Sequence, residues 1–79
     1  MTREECKQRV YKVITNVLDV KPEEIQEKHS FTGNLGADSI KSMNLVASFE
    51  EEFDIEMDED QALEVNNVGR AIDFILKYL

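Results

Sequence analysis

Along residues 1–18, the apolar positions Cys6, Val10, Val13, Ile14, Val17 and Leu18 recur at spacings of three and four, which puts them on one face of an α-helix. Arg3, Lys7, Arg9 and Lys12 fall mostly on the other side. Thr2 followed three residues on by Glu5 matches a capping box, so the first helix is predicted over residues 3–18. A second periodic run over residues 39–53 carries two apolar stripes, Leu45, Val46, Phe49 and Phe53 on one and Ile40, Met43 and Ala47 on the other. A helix in a minimal domain needs one stripe for its core. The second is a contact surface, the wall of a cleft, or more core. Asp60–Glu64 reads as a short helix with Ala62 and Leu63 turned inward. Beyond it Val68, Ala71, Ile72, Ile75 and Leu79 keep helical spacing behind a cap at Asn67 or Asn66. Gly69 sits in the first turn of that last helix at a cost in propensity, which close packing against a neighbouring element would explain.

Asp19 to Ala37 separates the first two helices, with Pro22, Gly33, Asn34 and Gly36 as breakers. A connection this long in so small a chain marks either a functional loop or one packed down. Val20, Ile25, Phe31 and Leu35 supply apolar anchors that would lay it across the helices. Pro22 suits the first position of a short helical turn over Pro22–Gln26. No stretch reads convincingly as a strand. The expected fold is all-α, a small antiparallel four-helix bundle of three longer helices and one short one, forming a single domain over residues 1–79.

These 79 residues are 42% hydrophobic and 33% charged, enough for one core beneath a wet surface. A single cysteine allows neither an internal disulfide nor a cysteine-rich zinc site, and Cys6 fits the helical spacing as a small core residue. Charges throughout Thr2–Lys12 leave no signal-peptide h-region, and no apolar run reaches membrane-spanning length. A cytoplasmic monomer without stable membrane insertion is expected. Net charge is −8, unevenly placed: residues 1–40 hold seven acids and six bases, residues 41–79 ten acids and three bases. Such a field repels nucleic acid and favours basic protein surfaces as partners.

The acidic segment Asp54–Asp60 fails as a calcium loop. Asp54, Glu56 and Asp58 occupy the first three ligand positions, but the sixth is Glu59 rather than Gly and the twelfth is Val65 rather than Glu. No metal site is expected. Asp38 is a good N-cap for the second helix, which leaves Ser39 as its first residue, with the hydroxyl at the positive end of the helix dipole. That place suits a phosphate. Ser39 is not a hydrolase nucleophile: the positions two residues to either side are Ala37 and Lys41 rather than glycines, and the lone His29 has no evident orienting acid. A self-contained enzyme is therefore not expected, and Ser39 reads as a residue that is acted upon.

Gly36-Ala37-Asp38-Ser39-Ile40 resembles the attachment motif of acyl carrier proteins, with Ile40 where Leu is usual. The likeness extends over almost the whole chain. Val20-Lys21-Pro22-Glu23-Glu24-Ile25, Ser30-Phe31, Asn34-Leu35-Gly36, Phe49-Glu50-Glu51-Glu52-Phe53-Asp54-Ile55, and Val68 with Ala71-Ile72-Asp73-Phe74-Ile75 are similar to successive family segments, in order. The resemblance implies that a phosphopantetheinyl transferase moves 4′-phosphopantetheine from coenzyme A onto Ser39, and that the arm's thiol then carries acyl groups as thioesters. It also implies an apolar cleft beside the second helix for the acyl chain, which would give the second stripe a purpose. Further partners implied are an acyl-loading ligase or transferase and a ketosynthase or acyltransferase of fatty acid, lipid or polyketide-type biosynthesis. Asp38 would support the attachment site. Ile40, Lys41, Met43, Asn44, Ala47, Glu50, Glu51 and Glu59 would meet the partners, with Glu52 and Glu56 adding to the field that steers basic enzymes.

Two departures stand out. Family members usually carry acids soon after the modified serine, where this chain has Lys41 and Asn44. They point to a specialised carrier with dedicated partners. The competing readings are a peptidyl or aminoacyl carrier, which more often has Gly-Gly before the serine pair, and an acidic helical adaptor that uses Ile40, Met43 and Ala47 without a prosthetic group.

Overall fold

Thr2 Oγ1 accepts the Glu5 N–H at 3.1 Å while the Glu5 carboxylate accepts the Thr2 N–H at 3.1 Å. From this reciprocal cap α1 runs over Arg3–Leu18. The computed structural model describes all residues, 1–79. After α1 come α2 (Ser39–Phe53), α3 (Glu59–Glu64) and α4 (Val68–Leu76), and no residue lies in a strand. The architecture is the small four-helix bundle expected, with three longer helices and one short one. Every helix starts at a side-chain cap. Asp58 Oδ1 accepts the Gln61 N–H at 3.0 Å and Asn67 Oδ1 the Arg70 N–H at 3.0 Å. The Asp58 cap explains why α3 begins at Glu59, one residue earlier than the apolar pattern indicated.

α1 and α2 end alike. Asp19 (φ 57°) and Asp54 (φ 53°) adopt the left-handed conformation and return their N–H groups to Thr15 and Glu50 carbonyls. Around the core lie 17 buried residues, all apolar. Cys6, Val10 and Ile14 of α1 and Val68 and Ile72 of α4 are fully enclosed, so the α1–α4 seam is its driest part. Leu45, Phe49 and Phe53 of α2 close a second side. Each such side chain contributes roughly 1.5–3 kcal/mol on removal from water. Cys6 is a core residue as expected, and burial pushes its thiol up.

Ile25, Phe31 and Ala37 pin the long connection down. Its helical turn is shorter than the predicted 22–26: a 3₁₀ turn spans Pro22–Glu24, and Ile25 is already extended so that its side chain reaches the core. Main-chain carbonyls of this connection serve α4 directly. His29 O accepts the Val68 N–H at 3.0 Å and Glu27 O the Gly69 N–H at 2.9 Å. This accounts for Gly69: a Cβ there would stand 3.3 Å from Glu27 O and 3.4 Å from Asn67 Oδ1. Arg3 fastens the same corner, reaching Glu27 at 2.7 Å and Asp73 at 2.9 Å.

Two apolar positions depart from the reading of the sequence. Leu63 was expected to turn inward with Ala62, but it is exposed, because one turn and a half of α3 can direct a single residue to the core. Leu79 lies past the end of α4 and is also exposed. Its neighbour Tyr78 makes the C-terminal contact instead, packing edge-on against Phe74 and accepting the Asp58 N–H at 3.2 Å.

Candidate functional site

The approach to α2 is a rigid turn. Asn34 Oδ1 accepts the Ser30 N–H at 2.9 Å, Ser30 Oγ accepts the Gly33 N–H at 3.0 Å, and Ser30 O receives the Asn34 and Leu35 N–H groups. Gly36 then takes φ +72°, a conformation that costs a residue with a Cβ about 1–2 kcal/mol. The chain thereby drops Ala37 into the core, with its N–H on Phe31 O at 2.7 Å, and brings Asp38 and Ser39 out to solvent.

Asp38 organises the first turn of α2. Its Oδ1 accepts the Lys41 N–H at 2.8 Å and its carbonyl the Ser42 N–H at 2.8 Å. The N–H groups of Ser39 and Ile40 find no acceptor in the chain. Ser39 is thus an exposed hydroxyl on the first residue of a 15-residue helix, beside two uncommitted donors and the positive end of the dipole. Lys41, also exposed, adds a full positive charge nearby. No side chain hydrogen-bonds the Ser39 hydroxyl, and His29 uses Nδ1 to accept the Gln26 N–H. Nothing here would turn Ser39 into an attacking group.

One turn further on, Ser42 lies on the rim of an apolar cleft of about 170 Å³ between α2, α3 and α4. Leu45, Val46 and Phe49 form one wall and Phe74 and Ile75 another, with Leu63 along the side. The exposure of Leu63 is explained by this position. The family resemblance links the cleft to the second stripe, and the structure corrects this: the apolar lining from α2 comes from the first stripe. Ile40 and Met43 are 72% and 55% exposed, Ala47 is exposed too, and none of the three borders the cleft. Met43 and Ala47 instead edge a neighbouring hollow of about 360 Å³ shared with Glu50, Glu56 and Glu59. The second stripe is a surface. Asn66, a candidate cap in the sequence, leaves that role to Asn67 and stands on the cleft rim with Thr32 and Ser42; nothing in the sequence signals this, because Thr32 and Asn66, 34 positions apart, meet only through the fold.

The acids divide by their partners. Glu51, Glu56 and Glu59 are exposed and make no ion pair. Glu50 is half-buried and its carboxylate accepts the Met57 N–H at 2.8 Å, tying the α2–α3 link to the helix. Glu52 is not the free steering charge expected of it. Arg9 holds it at 2.7 Å and Lys12 at 3.4 Å, across to α1, and the Arg9 hydrogen bond is the main cause that keeps its carboxyl below the ordinary value of 4.5.

Residues 8–75 match the family described as the phosphopantetheine attachment site. The acyl carrier protein of Phenylobacterium zucineum is 47% identical over 72 residues, covering 91% of each chain. The chain belongs to the acyl carrier protein family. Another member, from Caulobacter vibrioides, is 48% identical over 68 residues, 86% of this chain and 87% of its own. A solved structure of the acyl carrier protein from Enterococcus faecalis superposes with a TM-score of 0.80 at 35% identity, covering 100% of both chains. This carrier is accordingly not an enzyme. Its cofactor is 4′-phosphopantetheine, and its partners are a phosphopantetheinyl transferase and biosynthetic enzymes. The start of α2 fits that group: an exposed hydroxyl for the ester bond, and two backbone donors with the helix dipole for the phosphate. No helix is long and apolar enough to cross a membrane.

Proposed function

We propose that Ser39 Oγ is the attachment point of the prosthetic arm and that the cleft behind Ser42 shelters the acyl chain. The observation that carries this is the exposed, unpartnered Ser39 hydroxyl at the start of α2, one turn from an apolar cleft. Asp38 keeps its backbone in register by holding the Lys41 N–H. The arm supplies a thiol that carries acyl groups as thioesters. Every other contribution of the chain is presentation: the hydroxyl is offered to the transferase, the cleft excludes water from the cargo, and the outer face of α2 meets the enzymes.

The experiment is intact mass after incubation with coenzyme A and a broad-specificity phosphopantetheinyl transferase. The wild-type chain gains one phosphopantetheine and Ser39→Ala gains none. An unmodified wild-type chain, under conditions that load a control carrier, overturns the reading.

Ile40, Met43 and Ala47 form the apolar part of the docking face, and Glu51, Glu56 and Glu59 the unpaired charges around it. Lys41 and Asn44, both exposed, leave the N-terminal half of α2 without acidic charge. This supports a specialised, cytoplasmic carrier served by a dedicated loading ligase or transferase and a ketosynthase or acyltransferase. Lys41→Asp with Asn44→Glu is expected to improve acyl transfer by general fatty-acid enzymes severalfold in a side-by-side loading assay, chiefly through faster association at low salt. An unchanged rate would remove the basis for specialisation.

A further inference from the structure

The walls of the cleft are apolar, but its rim is held by a polar clasp. Asn66, in the link between α3 and α4, accepts the Thr32 N–H on Oδ1 at 3.1 Å and donates from Nδ2 to Thr32 Oγ1 at 2.8 Å. Both residues are exposed and both border the cleft. Their chain neighbours Phe31 and Val65 also line it, so the two hydrogen bonds hold two wall segments together. The rest of the connection is fastened elsewhere: residues 27–29 bond to the first turn of α4, and Ser30 is locked to Asn34. The clasp is therefore the direct hydrogen-bonded link from residue 32 to the α3–α4 side of the cleft, and solvent-exposed hydrogen bonds of this kind contribute modestly and break readily.

The volume behind the clasp gives a scale. A cavity of roughly 150 Å³ takes benzene, a ligand of six carbons, and this cleft measures about 170 Å³. We propose that the Thr32–Asn66 clasp sets the length of acyl chain that the cleft shelters, holding it at short chains of about six carbons while closed. The proposal rests on the reading of the cleft and Ser39 given above. Thr32 and Asn66 are specificity-determining residues in this sense: they touch neither the thioester nor the attachment oxygen, and they limit how far the walls part.

Two measurements test it. In the first, the unmodified protein is titrated with the uncharged fluorophore N-phenyl-1-naphthylamine, whose emission rises in apolar surroundings. In the second, protein loaded with hexanoyl or decanoyl thioester, verified by intact mass, is cleaved by hydroxylamine. The wild-type chain is expected to protect hexanoyl and leave decanoyl open to attack. Asn66→Ala, which removes both hydrogen bonds, is expected to raise probe emission and to slow decanoyl cleavage on the order of tenfold, the value of two further buried methylenes. Thr32→Val keeps the backbone half of the clasp and is expected to shift both readouts less, in the same direction. Thermal melts establish that the variants are folded, and the milder Thr32→Val decides the matter if Asn66→Ala is not.

The proposal is overturned if neither variant changes chain-length protection, or if the wild type already protects decanoyl as well as hexanoyl. A wild-type chain that refuses the prosthetic arm would strike the Ser39 reading instead. The probe titration then still decides the clasp, with unchanged emission in both variants overturning it.

Discussion

Glu52 shows how a residue's role is decided by a partner far away in the chain. In the sequence it is one of three consecutive glutamates. In the fold Arg9 grips its carboxylate, donates to its carbonyl oxygen as well, and lays its guanidinium over the Phe53 ring at 4.6 Å from the centroid. The hydrogen bond from Arg9 favours the charged form and lowers the carboxyl below 4.5. A lowered folded-state value means stability that is present above the ordinary value and lost as pH falls through the lowered one. Glu52→Gln should therefore melt below the wild type at neutral pH, with the gap closing as pH drops below 4.5. Melting curves across an acid series check this, and a gap that persists at the acid end contradicts it. Asp38 is the opposite case. Its cap is local, spanning three residues, and so it was legible from the order Asp38-Ser39 followed by an apolar run.

At the level of elements, the starts of the three longer helices were readable because each carries its own signal: Thr2 with Glu5, Asp38, and Asn67. The ends of α1 and α2 were legible from where the apolar spacing stops, at Leu18 and Phe53, rather than from a stop residue. Asp19 and Asp54 occupy left-handed positions where glycine is the usual choice, so neither announces a terminus. Asp54→Gly should stabilise the fold by about 0.5–1 kcal/mol, the left-handed penalty less the entropy of the added glycine. It also removes one acid from a crowded segment. Urea denaturation measures the gain, and a loss of stability would show that the Asp54 side chain has a role of its own. Short elements were the hardest to read. The turn at Pro22–Glu24 and the single inward residue of α3 are settled by what the core has room for, which periodicity over six residues does not encode. Within the candidate site, Ser39 stood out by local chemistry, whereas the cleft rim depends on Thr32 and Asn66 meeting across the fold.

Across the whole molecule the charge is polarised by pairing as well as by sequence. All five ion pairs draw on Arg3, Lys7, Arg9 and Lys12 of α1, with Glu27, Asp73 and Glu52 as their partners. Such exposed pairs contribute about 0–1 kcal/mol each. The acids from Asp54 to Asp60 pair with no base, and no group of acidic side chains is arranged to hold a metal ion. Their mutual repulsion opposes folding and is screened by salt. The melting temperature should accordingly rise with added sodium chloride, and with millimolar magnesium by a diffuse rather than a saturable response. Insensitivity to both would mean that the repulsion is weaker than a net charge of −8 implies.

The first amides of a helix ordinarily face water and trade their hydrogens quickly, since no preceding turn receives them. Val68 and Gly69 are different, because His29 and Glu27 in the long connection receive them. Their exchange in heavy water then becomes a clock for that connection: slow while it is seated, fast each time it lifts. Both amides should exchange together, and more slowly than those of Ser39 and Ile40 at the start of α2. Two resonances in a helix remote in sequence would thus time the movements of the segment that leads to Ser39.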